Sequence, residues 1–90
     1  MNQNNFIKIS IITIVYNNVK NIERTIKSVL SQNYPNIEYI VVDGGSTDGS
    51  VEVIQRYQNR IHKFISEHDN GIYDALNKGV ISSSGDFITI

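Results

Sequence analysis

The sequence predicts an α/β fold of three layers, α/β/α, built on a mainly parallel, doubly wound sheet. Two apolar runs rich in β-branched residues, Ile7 to Tyr16 and Tyr39 to Val42, fit strands buried on both faces, as in a parallel sheet covered by helices. Apolar residues at helical spacing follow each of them, at Ile22, Ile26, Val29 and Leu30, and again at Val51, Ile54 and Tyr57. The whole chain then reads β-α-β-α-β-α-β, which right-handed crossovers wind into a single sheet.

Each element has its own signals. Met1 to Asn5 is polar and expected to fray. The strand from Ile7 to Tyr16 is broken by Asn17-Asn18, and the first helix starts behind it, with Asn18 or Asn21 as cap and Glu23 in the first turn. Asn33-Tyr34-Pro35-Asn36 ends that helix, because the residue before proline is pushed out of helical backbone. The second strand stops at Asp43, and a second helix runs from about Ser50 to Tyr57 with Asp48 or Thr47 as its N-cap. Lys63 to Ser66 is a short third strand, and Glu67 to Gly71 a polar connection whose Asn-Gly marks a turn. Ile72, Ala75, Leu76, Gly79 and Val80 trace a third helix, stopped by Ser82-Ser83-Ser84-Gly85. Asp86 to Ile90 begins a fourth strand with no turn residue or polar tail behind it. An open hydrophobic edge invites pairing. The expectation is a truncated domain that dimerises through this strand.

Composition narrows the function classes. Ninety residues make one small domain, burying about 60% of the surface its unfolded chain exposes. A net charge of −1 argues against a nucleic-acid partner. The absence of cysteine excludes a disulfide scaffold and any thiolate metal site. No apolar run approaches the roughly 18 residues of a spanning helix, and the first residues lack a signal-peptide core. The expected location is cytoplasmic, with the inner face of the membrane open to a longer protein.

Parallel strands bring their C-terminal ends to one rim, where open α/β sheets bind ligands. That rim gathers Thr13, Tyr16, Asn17, Asp43, Glu67 and the start of the third helix, with Gly71, Tyr73, Asp74 and Asn77. Asp43 is the central candidate: a carboxylate at the mouth of a buried strand, followed by Gly44 and Gly45, which let backbone approach a ligand closely. A carboxylate accepts from a base imide or ribose hydroxyl, a tyrosine ring stacks, and free helix N–H groups suit phosphate. Structural roles compete: Asp43 as a turn cap, Asp48 and Thr47 as helix caps, Asp74 as a first-turn acid. His62 and His68 lack partners at metal spacing and read as surface residues. The turn after the first strand has no glycine, which excludes a dinucleotide-binding fingerprint, and the Gly44 to Gly49 loop has no Walker lysine.

Three ordered stretches, Ser10 to Asn17, Ile26 to Pro35 and Val41 to Gly49, resemble the N-terminal half of family 2 glycosyltransferases of the GT-A fold. Ser66 to Gly79 is similar to a bacterial polysaccharide-assembly branch of that family, and the resemblance extends from about Lys8 to Ile90. It implies an inverting transferase that moves a sugar from a nucleotide-diphosphate donor, usually a UDP-sugar, to a hydroxyl of a glycan or lipid-linked acceptor. It places Thr13 and Tyr16 in the uridine pocket and Asp43 beside the base, giving a nucleotide-binding set of Thr13, Tyr16, Asp43, Gly44, Gly45, Glu67 and Asp74. Many members carry a second acid directly after the first, where this chain has Gly44; Asp43, Glu67 and Asp74 are the acids left to take over that contact. Many also carry a phosphate-contacting arginine where Leu76 stands, so that contact is not carried over. The metal-binding acids for Mn²⁺ or Mg²⁺ and the catalytic base are implied beyond Ile90. The alternative is a non-catalytic α/β nucleotide-binding or interaction module using the same crevice.

Overall fold

A computed structural model describes residues 7–90; the stretch Met1 to Asn5, expected to fray, lies outside them. The elements are β1 (Ile9–Val15), α1 (Val19–Leu30), β2 (Ile37–Asp43), α2 (Ser50–Gln55), β3 (Lys63–Ser66), α3 (Ile72–Ser82) and β4 (Phe87–Thr89). The strands form one sheet in the order β3-β2-β1-β4, every neighbouring pair parallel. Winding outward from β1 to β3 lays α1 and α2 on one face. The chain then returns through α3 on the other face and sets β4 beside β1.

Side chains alternate across the sheet with a period of two. Ile11 and Val15 of β1 and Tyr39 and Val41 of β2 pack with Ile22, Ile26, Val53 and Ile54 under α1 and α2. Ile12, Ile40 and Val42 pack with Ala75 under α3. This parity decides which residues reach which side of the rim. On the α3 face the approach is close: a β-carbon on Gly79 would meet Ile12 Cγ2 at 2.7 Å, so glycine lets the helix lie directly on β1.

Three boundaries differ from the sequence reading. Lys8 stands outside β1 and is tied to the start of β4: its carbonyl accepts from Asp86 N at 2.7 Å and its N–H donates to Asp86 Oδ2 at 2.9 Å. Helix α2 ends at Gln55, before a short 3-10 turn at Gln58–Arg60, and Tyr57 Oη donates to Glu23 of α1. Glu23 thus braces the two helices and does not sit in the first turn of α1. Gly49 occupies the N-cap position of α2, while Asp48 accepts both from Ser50 N at 3.0 Å and from Val19 N of α1 at 3.0 Å. One carboxylate therefore serves two helix starts. His62 is no idle surface group: its Nδ1 accepts from Tyr39 N at 2.9 Å and continues the pairing of β2 with β3.

At the opposite end of the sheet from the rim sits a buried acid. Glu38 is 7% exposed. It accepts from Ser10 Oγ at 2.8 Å, Ser84 N at 2.8 Å and Ser84 Oγ at 3.0 Å, with Lys63 Nζ at 3.6 Å. Burial pushes its pKa up, but the bonds from Ser84 and Ser10 and the Lys63 charge outweigh burial and hold it at about 2. This cluster pins the loop between α3 and β4. A carboxyl depressed on folding stabilises above its unfolded pKa and loses that contribution as pH falls through the folded one. Between its ordinary value of 4.5 and about 2, Glu38 should forfeit about 3 kcal/mol. Urea melts should show Glu38→Gln less stable than wild type at pH 7 and the gap closing toward pH 2; a gap independent of pH would contradict the assignment.

Candidate functional site

The C-terminal ends of β1, β2 and β3 do share one rim, but the alternation of side chains splits the residues that sequence grouped there. Asp43 belongs to the α1/α2 face, with Tyr39 and Val41. It is 0% exposed, and its own surroundings occupy it: Oδ2 accepts from Gly45 N at 3.0 Å, Ser46 N at 3.0 Å and Ser66 Oγ at 2.9 Å, while Oδ1 accepts from Ser46 Oγ. The expectation of an acid projecting into a crevice is corrected here. Asp43 faces inward and shapes the loop. Gly45 is part of that wrapping, with φ +90°, a conformation that L side chains avoid.

The loop is stitched to the β1–α1 turn as well. Asn17, in the left-handed region at φ 47° where asparagine is tolerated, donates its N–H to Ser46 Oγ at 2.8 Å and accepts from Thr47 N at 2.8 Å. Gly44 N donates to Val15 O at 3.0 Å, so the first two strand ends are bonded to the last residue. Thr13 also lies on the α1/α2 face, where its hydroxyl shares a 2.8 Å hydrogen bond with Tyr39 Oη. Parity carries it away from the rim cleft.

The cleft itself lies on the α3 face. It has a volume of about 490 Å³ and is lined by Ile14, Val15, Tyr16, Gly44, His68, Asp69, Gly71, Ile72 and Ala75. Pockets of a few hundred Å³ with apolar walls and few polar groups are the common form of small-molecule sites. Ile14 and Ala75 form its apolar base, Tyr16 stands 64% exposed at the end of β1, and Ile72 is similarly exposed at the start of α3. The polar groups are Asp69 and His68.

Glu67 and Asp74 are not in that lining. Both reach Lys78, whose Nζ lies 3.2 Å from Glu67 Oε1 and 3.5 Å from Asp74 Oδ2 and donates to His68 O at 3.1 Å. Asp74 also accepts from Asn70 N at 2.9 Å, and that bond, with the Lys78 charge, holds its carboxyl below the usual range. Burial would lower the Lys78 pKa, but the two carboxylates raise it. These three residues clamp the β3–α3 loop, and the clamped loop presents Asp69. Sequence reasoning passed over Asp69 because nothing in Asp69-Asn70-Gly71 distinguishes a ligand-facing acid from a turn. Counting strand parity from Tyr39 would have turned attention from Asp43 to position 44 and to whatever lies over it.

No three His, Cys, Asp or Glu side chains gather to hold a metal ion among the described residues. Among those residues, too, no helix is long and apolar enough to cross a membrane.

Over this span the architecture is that of GT-A glycosyltransferases. The mannosyltransferase PcManGT from Pyrobaculum calidifontis, solved with GDP-Man and Mn²⁺, superposes with a TM-score of 0.82 at 26% identity, covering 91% of this chain and 26% of that one. S. aureus TarS, solved with UDP-GlcNAc, gives a TM-score of 0.81 at 28% identity over 90% of this chain and 25% of that one. The model of glycosyl transferase family 2 matches residues 10–90, and the chain belongs to that family. A putative teichuronic acid biosynthesis glycosyltransferase of Bacillus subtilis, TuaG, is 39% identical over 83 residues, or 89% of this chain and 33% of the relative. The chain spans about a third of the length of such relatives.

The inward carboxylate yields a prediction. Asp43→Ala removes the buried acceptor that the Gly45 and Ser46 N–H groups and the Ser46 and Ser66 hydroxyls share, and the loss should be about 3 kcal/mol of unfolding free energy. Hydrogen exchange should accelerate first at Gly45 and Ser46. A variant as stable as wild type would show that the loop does not depend on this acid.

Proposed function

We propose that this chain supplies the donor-nucleotide pocket of a family 2 glycosyltransferase. The whole enzyme would move a sugar from a nucleotide-diphosphate donor, a UDP-sugar by preference, to a hydroxyl of a glycan or lipid-linked acceptor in bacterial polysaccharide or glycoconjugate assembly. The carrying observation is the cleft at the C-terminal end of β1, open between exposed Tyr16 and the β3–α3 loop. Its apolar base and aromatic rim suit the flat face of a base, and its size suits a nucleoside. The structural neighbours were solved with GDP-Man and UDP-GlcNAc, which supports a nucleotide-sugar donor. Cytoplasmic work, with the inner membrane face for a longer protein, is consistent with this reading.

Inversion requires in-line attack of the acceptor hydroxyl on the anomeric carbon as the nucleoside diphosphate leaves, with a carboxylate taking the hydroxyl proton. A bound Mn²⁺ or Mg²⁺ supplies charge neutralisation on the leaving diphosphate, and PcManGT was solved with Mn²⁺. The described residues of this chain do not form a metal centre, so no step is assigned through one. The role given to this chain is to hold and orient the nucleoside. The 90 residues alone are expected to bind the donor poorly and to turn over nothing measurable.

Calorimetric titration with UDP and with GDP, each with and without Mn²⁺, tests the pocket. Tyr16→Ala should weaken the better nucleotide about tenfold, the scale of one lost stacking contact. Equal affinities would remove Tyr16, and with it the cleft, from the donor site. A second expectation concerns assembly. Edge strand β4 is exposed along its length, with Phe87, Ile88 and Ile90 open to solvent, and such an edge favours pairing between copies. Light scattering should show dimers growing with concentration; a strict monomer at high concentration would refute edge pairing.

A further inference from the structure

The strand end points two ways at once. Asp43 turns its carboxylate to the α1/α2 face, where the loop consumes it, so the next residue, position 44, is the one that faces the cleft. There the chain has no side chain. The space is filled from across the rim: a β-carbon built on Gly44 would lie 2.6 Å from Asp69 Oδ2, 3.1 Å from its Cγ and 3.2 Å from its Oδ1. The whole carboxyl group of Asp69 rests over the Gly44 backbone. Its Oδ1 accepts from Gly71 N at 3.1 Å, which fixes the group's orientation. Asp69 is half-buried and lines the same cavity as Tyr16 and Ile72, and the Lys78 clamp steadies the loop that carries it.

We propose that Asp69 is the specificity-determining acceptor of this cleft: its Oδ2 accepts a hydrogen bond from the nucleoside half of the donor, and Gly44 is the vacancy that admits it. The inference rests on the donor-pocket reading above and adds the residue that discriminates. An ionised carboxylate only accepts, so its partner on the ligand must be an N–H or O–H. A nucleoside diphosphate offers two kinds on its nucleoside side, the ring imide of the base and the ribose hydroxyls. The phosphates are excluded as partners by like charge. A site built to receive a hydrogen bond rejects an analogue that lacks the donor far more strongly than an apolar wall would.

The structure also separates this role from a purely local one. If Asp69 served only to begin α3 through Gly71, asparagine would do as well, since its carbonyl oxygen accepts the same bond. Gly44 does not adopt the left-handed backbone that requires glycine. The three atoms that a β-carbon there would meet first all belong to the Asp69 carboxyl, the movable end of a side chain. Gly44→Ala should therefore expel the carboxylate while leaving the fold in place.

The experiment measures affinity of wild type, Asp69→Asn and Gly44→Ala for whichever of UDP and GDP binds better. It then uses the ring-N-methylated analogue of that nucleotide and its 2′-deoxy analogue. Wild type should discriminate about tenfold against one of the two analogues, which identifies the donor as base or ribose. Asp69→Asn and Gly44→Ala should each weaken the parent nucleotide about tenfold and abolish that discrimination, with thermal midpoints close to wild type. Undiminished affinity and discrimination in both variants would overturn the role of Asp69 while leaving the donor pocket standing. Failure of wild type to bind either nucleotide would instead overturn the donor-pocket reading, and this assignment with it.

Discussion

Everything at the rim depends on one buried carboxylate. Asp43 accepts from two backbone N–H groups and two serine hydroxyls, and those bonds fold the β2–α2 connection back beneath itself. Ser46, held by Asp43, in turn receives the Asn17 N–H, so the β1–α1 turn is fastened to the same point. Charge-assisted hydrogen bonds of this kind are about twice as strong as neutral ones. With both strand ends immobilised, Tyr16 and Gly44 become fixed walls of a cleft. The acid contributes by preorganising the rim, since no free face of it reaches the ligand side.

A second carboxylate repeats the device one turn later. Asp48 receives Val19 N and Ser50 N together, tying the starts of α1 and α2 to each other. A third set, Glu67 and Asp74 around Lys78, does the equivalent for the β3–α3 loop. Each of the three connections at the C-terminal end of the sheet is thus braced by acidic side chains hydrogen-bonded or ion-paired across it. The opposite end is closed by Glu38, the Ser10 hydroxyl and the loop before β4. Charges in this small domain are spent on holding loops, and the sheet interior is left to Ile, Val and Tyr39.

Much of this was legible in the sequence. Continuous β-branched runs located β1 and β2, the 3.6-residue period located α1 and α3, and the glycine-rich loops placed the rim. GT-A architecture and membership of glycosyl transferase family 2 agree with the resemblance read from Ser10 to Asn17 and Val41 to Gly49. Which acid faces the cleft was not legible, because adjacent strand residues point to opposite faces. Reading Asp43 and Gly44 as one motif hides that opposition. Thr13 fell to the same parity, two residues before the core position Val15. Glu67 and Asp74 looked free because the lysine that pairs with both, Lys78, lies 11 and 4 residues away along the chain.

The central claim is that the ligand side of this rim is the α3 face, not the face into which Asp43 turns. Amide chemical-shift mapping during a nucleotide titration tests it directly. The account predicts the largest shifts at Tyr16, Gly44, Asp69 and Gly71, with Thr13, Tyr39 and Ser66 little changed. Shifts centred on Thr13, Ser46 and Ser66, with Asp69 and Gly71 silent, would contradict it.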